Sequence, residues 1–429
     1  MAVIGVISLG CAKNQVDTER MLGLLTGAGH TLTNDPKQAD VLIVNTCGFI
    51  ESAKQESIDA ILEMAQYKQG GRCRRLVVTG CLSERYRAEL KDAMPEIDVL
   101  LGVREYEKLP RLLGASSDAP VCGPQTARVL TTPSYSAYLR IADGCDNRCT
   151  YCAIPLIRGG LVSEPLEALV DEARRLIGGG VSELTLIAQD TSGYGIDRYG
   201  KPMLPELLNQ LEAIDGLHWL RVLYTYPDTV TPELIDRFRA NKKIVPYLDM
   251  PLQHTEDEML RRMNRRGDQK HILRVLDYVA EHAPEFMLRT TLMVGFPGET
   301  EEQFQRMRQF IVDHPFDRVG AFAFSPEEGT HAASLPDQLP EEVKQRRLSE
   351  LMQAQQAVSA ARNRARIGKQ VEVLVEGYDG TRAFGRSYAE APDVDGRVFF
   401  TAKTFPSIGS YVSVKLTDAL EYDMIGELV

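Results

Sequence analysis

The 429-residue sequence predicts an α/β protein in three parts: an N-terminal parallel-sheet α/β domain, a central partial (β/α)6 barrel and a small C-terminal all-β barrel. Three observations predict it. Short β-rich runs alternate with helical stretches through most of the chain, the pattern of βαβ units feeding a parallel sheet. A Pro-, Ser-, Thr- and Gly-rich stretch without apolar periodicity interrupts that alternation at 116–134 and reads as a linker. Near the end the helices stop, and short strands follow one another between Gly, Pro and Asp turns, as in a small barrel. The expected division is 1–115, a linker at 116–134, then 135–367 and 368–429.

Within the first part the strand candidates are Val3–Leu9, Val41–Asn45 and Leu76–Thr79. The second part offers six: Tyr138–Ala142, Glu183–Ala188, Trp219–Thr225, Ile244–Met250, Met287–Val294 and Arg318–Phe324. Helices are clearest at Pro165–Ile177 and after Thr300, where Thr300 and Gln303 have capping-box spacing. A long helix over Glu341–Ile367 closes this part. Val371–Val375, Arg397–Phe400 and Tyr411–Leu416 are the strands expected of the last.

No run approaches the roughly 18 apolar residues of a membrane span, so no membrane partner is expected. The apolar start, Ala2–Leu9, lacks the basic flank of a signal peptide and fits a first strand better. Eight cysteines without an export signal point to a reducing, cytoplasmic setting, where thiols serve metals or catalysis more often than disulfides. The formal net charge of −11 favours a basic partner over nucleic acid.

Cys145, Cys149 and Cys152 stand in C-D-N-R-C-T-Y-C, directly after a predicted strand. Three thiols so close cannot all pair as disulfides, and a closed zinc site wants a fourth local ligand that is not evident. A four-iron cluster held by three cysteines solves the count and leaves one iron open to an exogenous ligand. With Tyr151 before its last cysteine, this C-x3-C-x2-C motif resembles that of the radical S-adenosylmethionine superfamily. The resemblance implies a 4Fe-4S cluster on these three residues. S-adenosyl-L-methionine would chelate the open iron and, after one-electron reduction, yield a 5'-deoxyadenosyl radical. It also implies a partial barrel and a low-potential electron donor such as flavodoxin or ferredoxin.

Two further segments resemble cofactor contacts of that superfamily. Gln189 and Asp190 end a strand in L-I-A-Q-D-T-S-G-Y-G, where ligand-binding loops of parallel folds emerge; a polar strand end with a Gly-rich turn is the plainer alternative. Arg289 and Gly295 lie in L-R-T-T-L-M-V-G-F-P-G-E-T, where the alternative is an ordinary strand-to-helix connection.

Cys11, Cys47 and Cys81 each directly follow a predicted strand, at separations of 36 and 34 residues. That is the βαβ period, and a parallel sheet brings strands of that period to a common carboxyl edge. They are candidates for a second three-cysteine cluster; the alternative is three small buried hydrophobes. Cys73 and Cys122 lack the placement and read as ordinary thiols.

The two triads together resemble the methylthiotransferases, whose N-terminal cluster domain, radical domain and TRAM barrel would span essentially the whole chain. The strings S-L-G-C-A-K-N-Q-V-D-T-E, N-T-C-G-F-I-E-S-A-K-Q-E-S, Y-L-D-M-P-L-Q-H and G-R-S-Y-A-E-A-P-D-V-D-G are similar to the branch that modifies an aspartate of a ribosomal protein. Ala12, and Thr255 with Glu256, depart from that pattern without touching a cysteine. The resemblance implies two 4Fe-4S clusters and methylthio transfer to the β-carbon of an aspartate in the twelfth small-subunit ribosomal protein. His254 reads as structural, and the run Arg261, Arg262, Arg265, Arg266 as a solvated helix face.

Charge separates protein from RNA as substrate. Residues 370–429 carry five basic and ten acidic residues, a net charge of −5, which suits a basic small-subunit ribosomal protein and makes transfer RNA the weaker alternative. A non-enzymatic iron–sulfur carrier or sensor is the remaining rival. It leaves the cofactor-like barrel strands without a purpose.

Overall fold

The computed structural model describes residues 1–114 and 128–429. Cys122 and most of the expected linker lie outside the described residues.

The N-terminal domain runs β1 (Val3–Ser8), α1 (Ala12–Gly27), β2 (Thr31–Thr33), β3 (Val41–Thr46), α2 (Glu51–Gly70), β4 (Arg75–Gly80), α3 (Cys81–Arg85) and β5 (Val99–Leu100). Its strands form one parallel sheet in the order β2-β1-β3-β4-β5. β3 is buried along its whole length, as a central strand covered on both faces must be. Separate apolar clusters line the two faces, one holding Leu42, Val44, Leu76 and Val78, the other Ile4, Ile43 and Val77.

In the central domain a first parallel strand, β6 (Ser136–Arg140), is followed by a short antiparallel pair, β7 (Ala142–Asp143) and β8 (Val162–Ser163). Five further parallel strands come after it: β9 (Glu183–Ile187), β10 (Trp219–Val222), β11 (Tyr247–Asp249), β12 (Met287–Val294) and β13 (Arg318–Ala323). They pair in chain order as β6-β9-β10 and β11-β12-β13, and a bridge between Leu220 and Ile244 joins the halves. β11 is shorter than the run Ile244–Met250 suggests because Pro246 has no N–H to give the ladder. β10 stops at Val222 because Tyr224 turns the chain through φ +63°. Helices Leu166–Gly178 and Glu301–Asp313 pack outside the strands, and the second carries both bonds of the capping box between Thr300 and Gln303.

After helix Glu341–Arg364 the chain closes a five-stranded barrel from β14 (Gln370–Tyr378), β15 (Ala383–Arg386), β16 (Val398–Thr401), β17 (Tyr411–Ala419) and β18 (Met424–Leu428), in the order β14-β15-β16-β18-β17. β15 and β18 were not expected; both hold glycine and few β-branched residues, so their pairing comes from closure rather than propensity. The barrel packs on the starting ends of the central strands, where Leu374, Ala389 and Ala391 meet Tyr135, Trp219, Val245 and Met287.

Candidate functional site

Because β1, β3 and β4 are neighbours in one parallel sheet, their carboxyl ends stand side by side about one strand spacing, ~4.8 Å, apart. Cys11 is the N-cap of α1, Cys47 follows β3 directly, and Cys81 opens α3. Gly10, at φ +91°, lets the chain enter α1 so close to Cys47 that a Cβ there would lie 3.1 Å from the Cys47 sulfur. Asn14 ties the edge together. Its amide donates to the carbonyls of Leu9 and Thr46 at 3.0 and 2.8 Å, and the Cys81 thiol donates to its Oδ1 at 3.4 Å.

Burial pushes the Cys81 thiol up to about 12 and also raises Cys47. At Cys11 the surrounding protein likewise disfavours charge, but the Lys13 ammonium, the Asn14 backbone N–H and the Arg158 guanidinium outweigh it and lower the thiol. A cavity of about 500 Å³ opens beside Cys11, with Gln15, Thr18, Thr131 and Asp393 in its wall.

The second triad lies in the loop between β7 and helix Ile154–Ile157. That loop is clamped from outside: the Thr150 N–H donates to the Met263 carbonyl at 3.0 Å, the Asn264 amide to the Arg148 carbonyl at 2.9 Å, and the Ala332 N–H to the Thr150 carbonyl at 2.8 Å. Burial raises Cys145 to about 11 and Cys152 to about 12. Arg265 donates toward the Cys149 sulfur at 3.7 Å and to the Tyr151 hydroxyl at 3.1 Å, with its guanidinium over the Tyr226 ring.

The two loops share a seam. Cys81 packs with Val103, Ala153 and Ile157, so the residue after Cys152 touches the neighbourhood of the other triad. Arg158 bridges them, donating to Asn14 at 2.6 Å, to Asp17 at 2.9 Å, to both oxygens of Asp143 at 3.1 Å, and toward the Cys81 sulfur at 3.7 Å. Arg140 adds a second buried contact to Asp17. Sequence reading missed this network, whose members come from three segments with no local motif in common.

Gln189 donates to Asp143 at 2.9 Å, while its Oε1 is buried without a hydrogen-bond partner among the described residues. Asp190 is buried and organises its own loop, accepting from Ser192, from the Gly193 N–H and from Asn147. Arg289 donates to the fully buried Asp249 at 2.8 Å and lies 3.9 Å from Asp395, so its charge is already matched. Gly295, at φ +73°, donates its N–H to Glu299 at 2.9 Å, and a Cβ there would strike Lys344. Gln253, also at positive φ and with a buried orphan Oε1, is a further strained residue at the strand ends.

Two sequence expectations need correction. The arginine run is not one solvated face: the helix ends at Arg262, Asn264 turns the chain through φ +52°, and Arg265 points inward to Cys149 and the Pro251 carbonyl. Nor is the acidic count of the last domain all free surface. Glu390 is fully buried against Arg366, Asp395 accepts from the Tyr247 hydroxyl at 2.6 Å, and Glu376 pairs with Arg386. His254 is fully buried, and its Nδ1 accepts from the Glu256 N–H at 3.0 Å.

The donor sets suit iron–sulfur clusters. Among the described residues no three Cys, His, Asp or Glu side chains could share one metal ion, whereas in a four-iron cluster each thiolate binds its own iron. Thiols that burial holds neutral ionise when a cation takes their proton's place. Each triad leaves the fourth iron of such a cluster without a cysteine.

Sequence signatures divide the chain similarly. That described as "Uncharacterized protein family UPF0004" matches residues 3–102, the radical SAM superfamily 139–311, and the TRAM domain 367–429. The chain is 46% identical over 432 residues to the ribosomal protein uS12 methylthiotransferase RimO of Clostridium tetani, covering 98% of this chain and 97% of that one. It is 46% identical to the RimO of Geobacter sulfurreducens, with 99% and 98% covered, and 47% identical to that of Symbiobacterium thermophilum, with 99% and 90% covered. In fold it resembles the radical S-adenosylmethionine methyltransferase TsrM of Kitasatospora setae, at TM-score 0.55 and 15% identity over 77% of this chain and 76% of that one. The cobalamin-dependent radical enzyme OxsB aligns at TM-score 0.51 and 11% identity, covering 82% and 56%.

Proposed function

Because the chain belongs to the RimO family of ribosomal protein uS12 methylthiotransferases, we propose that it adds a methylthio group to the β-carbon of an aspartate in uS12. It is a radical S-adenosylmethionine methylthiotransferase. The observation that carries the reading is the seam of Cys81 against Ala153, which sets one cysteine triad beside the other as two-part chemistry on one carbon requires.

In this reading Cys145, Cys149 and Cys152 hold one 4Fe-4S cluster, and Cys11, Cys47 and Cys81 the other. The bound clusters and S-adenosylmethionine supply the electron, the hydrogen-abstracting radical and the methylthio group, none of which a side chain can provide. The protein's own work is placement. Arg158 and Asn14 hold the two loops in register, and Arg265 supplies positive charge beside Cys149. The orphan Gln189 Oε1 is a ready acceptor for an ammonium group of S-adenosylmethionine. Arg289 and Asp190, both already partnered, act by shaping the pocket, with Gly295 as its strand-end turn.

A low-potential donor such as flavodoxin or ferredoxin would deliver the electrons in the cytoplasm; no helix of the described residues is long and apolar enough to cross a membrane. The test is mass spectrometry of uS12 and of transfer RNA from cells with and without the protein. A methylthio adduct on the uS12 aspartate that vanishes with the gene is expected; one found only on transfer RNA would reverse the choice of substrate.

A further inference from the structure

Lys13 is a mostly buried residue whose ammonium pairs with no carboxylate among the described residues. The residue is 8% exposed, its Nζ stands 3.4 Å from the centroid of the Tyr224 ring, and among the described residues it makes no hydrogen bond and no ion pair. Its neighbours are different. Arg158 and Arg140 are matched by Asp17 and Asp143, and Arg20 and Arg128 by Glu172, Glu164 and Glu19. An ammonium carries three N–H donors, and the face of a ring satisfies its charge only in part. The residue is mostly buried, yet its Nζ is not among the polar atoms sealed from solvent, so its donors are open to an acceptor that arrives from outside.

The ring beneath it is held firmly. Tyr224 sits at φ +63°, a region a tyrosine rarely adopts; its N–H donates to Asp249 at 2.9 Å, and its carbonyl accepts from the Thr191 N–H at 3.0 Å. Strain of this kind is maintained where a side chain must be aimed. The two residues belong to different domains: Lys13 begins α1 just after Cys11, and Tyr224 follows β10 of the central barrel. The ammonium is thus pinned in the seam between the N-terminal triad and the strand ends of the barrel.

We infer that Lys13 is the specificity-determining residue that receives the carboxylate of the substrate's acidic side chain. This rests on the aspartate reading above. A carboxylate bound there loses its water to a partner of opposite charge rather than to an apolar wall, and the carbon to be modified is the one bonded to that carboxyl group. Anchoring the carboxylate beside Cys11 therefore presents the neighbouring C–H without any further contact to the reacting carbon. An asparagine, isosteric but neutral, gains far less from the same ammonium.

The test uses the cluster-loaded protein and two peptides spanning the uS12 site, one with the aspartate and one with asparagine in its place. Wild type should bind the aspartate peptide about 10- to 100-fold more tightly, the range of one charge-assisted contact. Lys13→Met should bind both alike while keeping its full iron content, and Lys13→Arg should restore part of the preference. An undiminished aspartate preference in Lys13→Met would overturn the inference. So would loss of iron in that variant, which would make the ammonium the counter-charge of the N-terminal cluster. If uS12 is modified in cells but wild type does not discriminate the peptides, the inference alone fails; if uS12 is never modified, the aspartate reading fails and takes this inference with it.

Discussion

Arg386 of the C-terminal barrel grips Glu183 at the start of β9 through two parallel hydrogen bonds, 3.0 and 2.6 Å long, with both side chains almost wholly buried. The planar guanidinium matches both carboxylate oxygens at once. Ser136 donates a further bond to Glu183 at 3.0 Å, and Glu376 accepts from the Arg386 Nε at 2.7 Å. This fork fixes where the last domain sits on the central one.

Removing one partner should therefore undock the barrel. Arg386→Met leaves the Glu183 carboxylate buried with less compensation, at a cost of about 3–5 kcal/mol. The readout is built in: Trp219, the chain's single tryptophan, is buried at this interface with its ring 4.9 Å from that of Tyr411. Its emission should shift to the red at lower urea concentration in the variant. An unchanged midpoint would mean that the apolar contact holds the domains by itself.

Acid should act on the same interface. Burial pushes the Glu183 and Glu390 carboxyls up, but Arg386 at the first and Arg366 at the second outweigh it and hold both down at about 2, against a usual 4.5. A lowered carboxyl contributes stability that is complete above its unfolded value and is lost as pH falls toward the folded one. The Trp219 urea midpoint should thus fall between about pH 4.5 and pH 2, and Glu183→Gln should start lower and show a shallower decline.

Iron content separates the cysteines by role. Reconstituted protein should hold about eight irons, and the triple variants Cys145/Cys149/Cys152→Ala and Cys11/Cys47/Cys81→Ala about four each. Only the second should keep substrate-free cleavage of S-adenosylmethionine. Cys73 packs in the apolar cluster under α2 and donates to the Arg75 carbonyl at 3.4 Å, so Cys73→Ala should retain all its iron and lose only about 1 kcal/mol of stability. Iron loss in Cys73→Ala would require a different ligand set.

The acidic charge open to a basic partner lies on the exposed acids, not the buried ones. Reversing Asp418, Glu421 and Glu427, all exposed, to lysine should lower kcat/KM toward basic uS12 most at low salt, where the Debye length is longest, and leave the melting temperature nearly unchanged. Glu390→Lys or Asp395→Lys should instead unfold the interface, because each places a cation against Arg366 or Arg289. Equal activity at every salt concentration in the surface variant would remove electrostatic docking from the account.

What the sequence by itself determined are features written at short range. The period-two strands, the Thr300 capping box, the C-x3-C-x2-C spacing and the recurrence of a cysteine after each N-terminal strand depend on neighbours along the chain, and parallel pairing converts that recurrence into adjacency. The tertiary structure decided which charges are spent and which are free. Arg265 resembles its solvated neighbours in the sequence yet turns inward, Glu390 and Asp395 count as surface acid yet are buried, and Glu183 meets Arg386 across 203 residues. Lys13 is legible only by the same comparison. Composition records a charge, but whether that charge is costly, neutralised or waiting for a ligand depends on which distant side chain shares its low-dielectric surroundings.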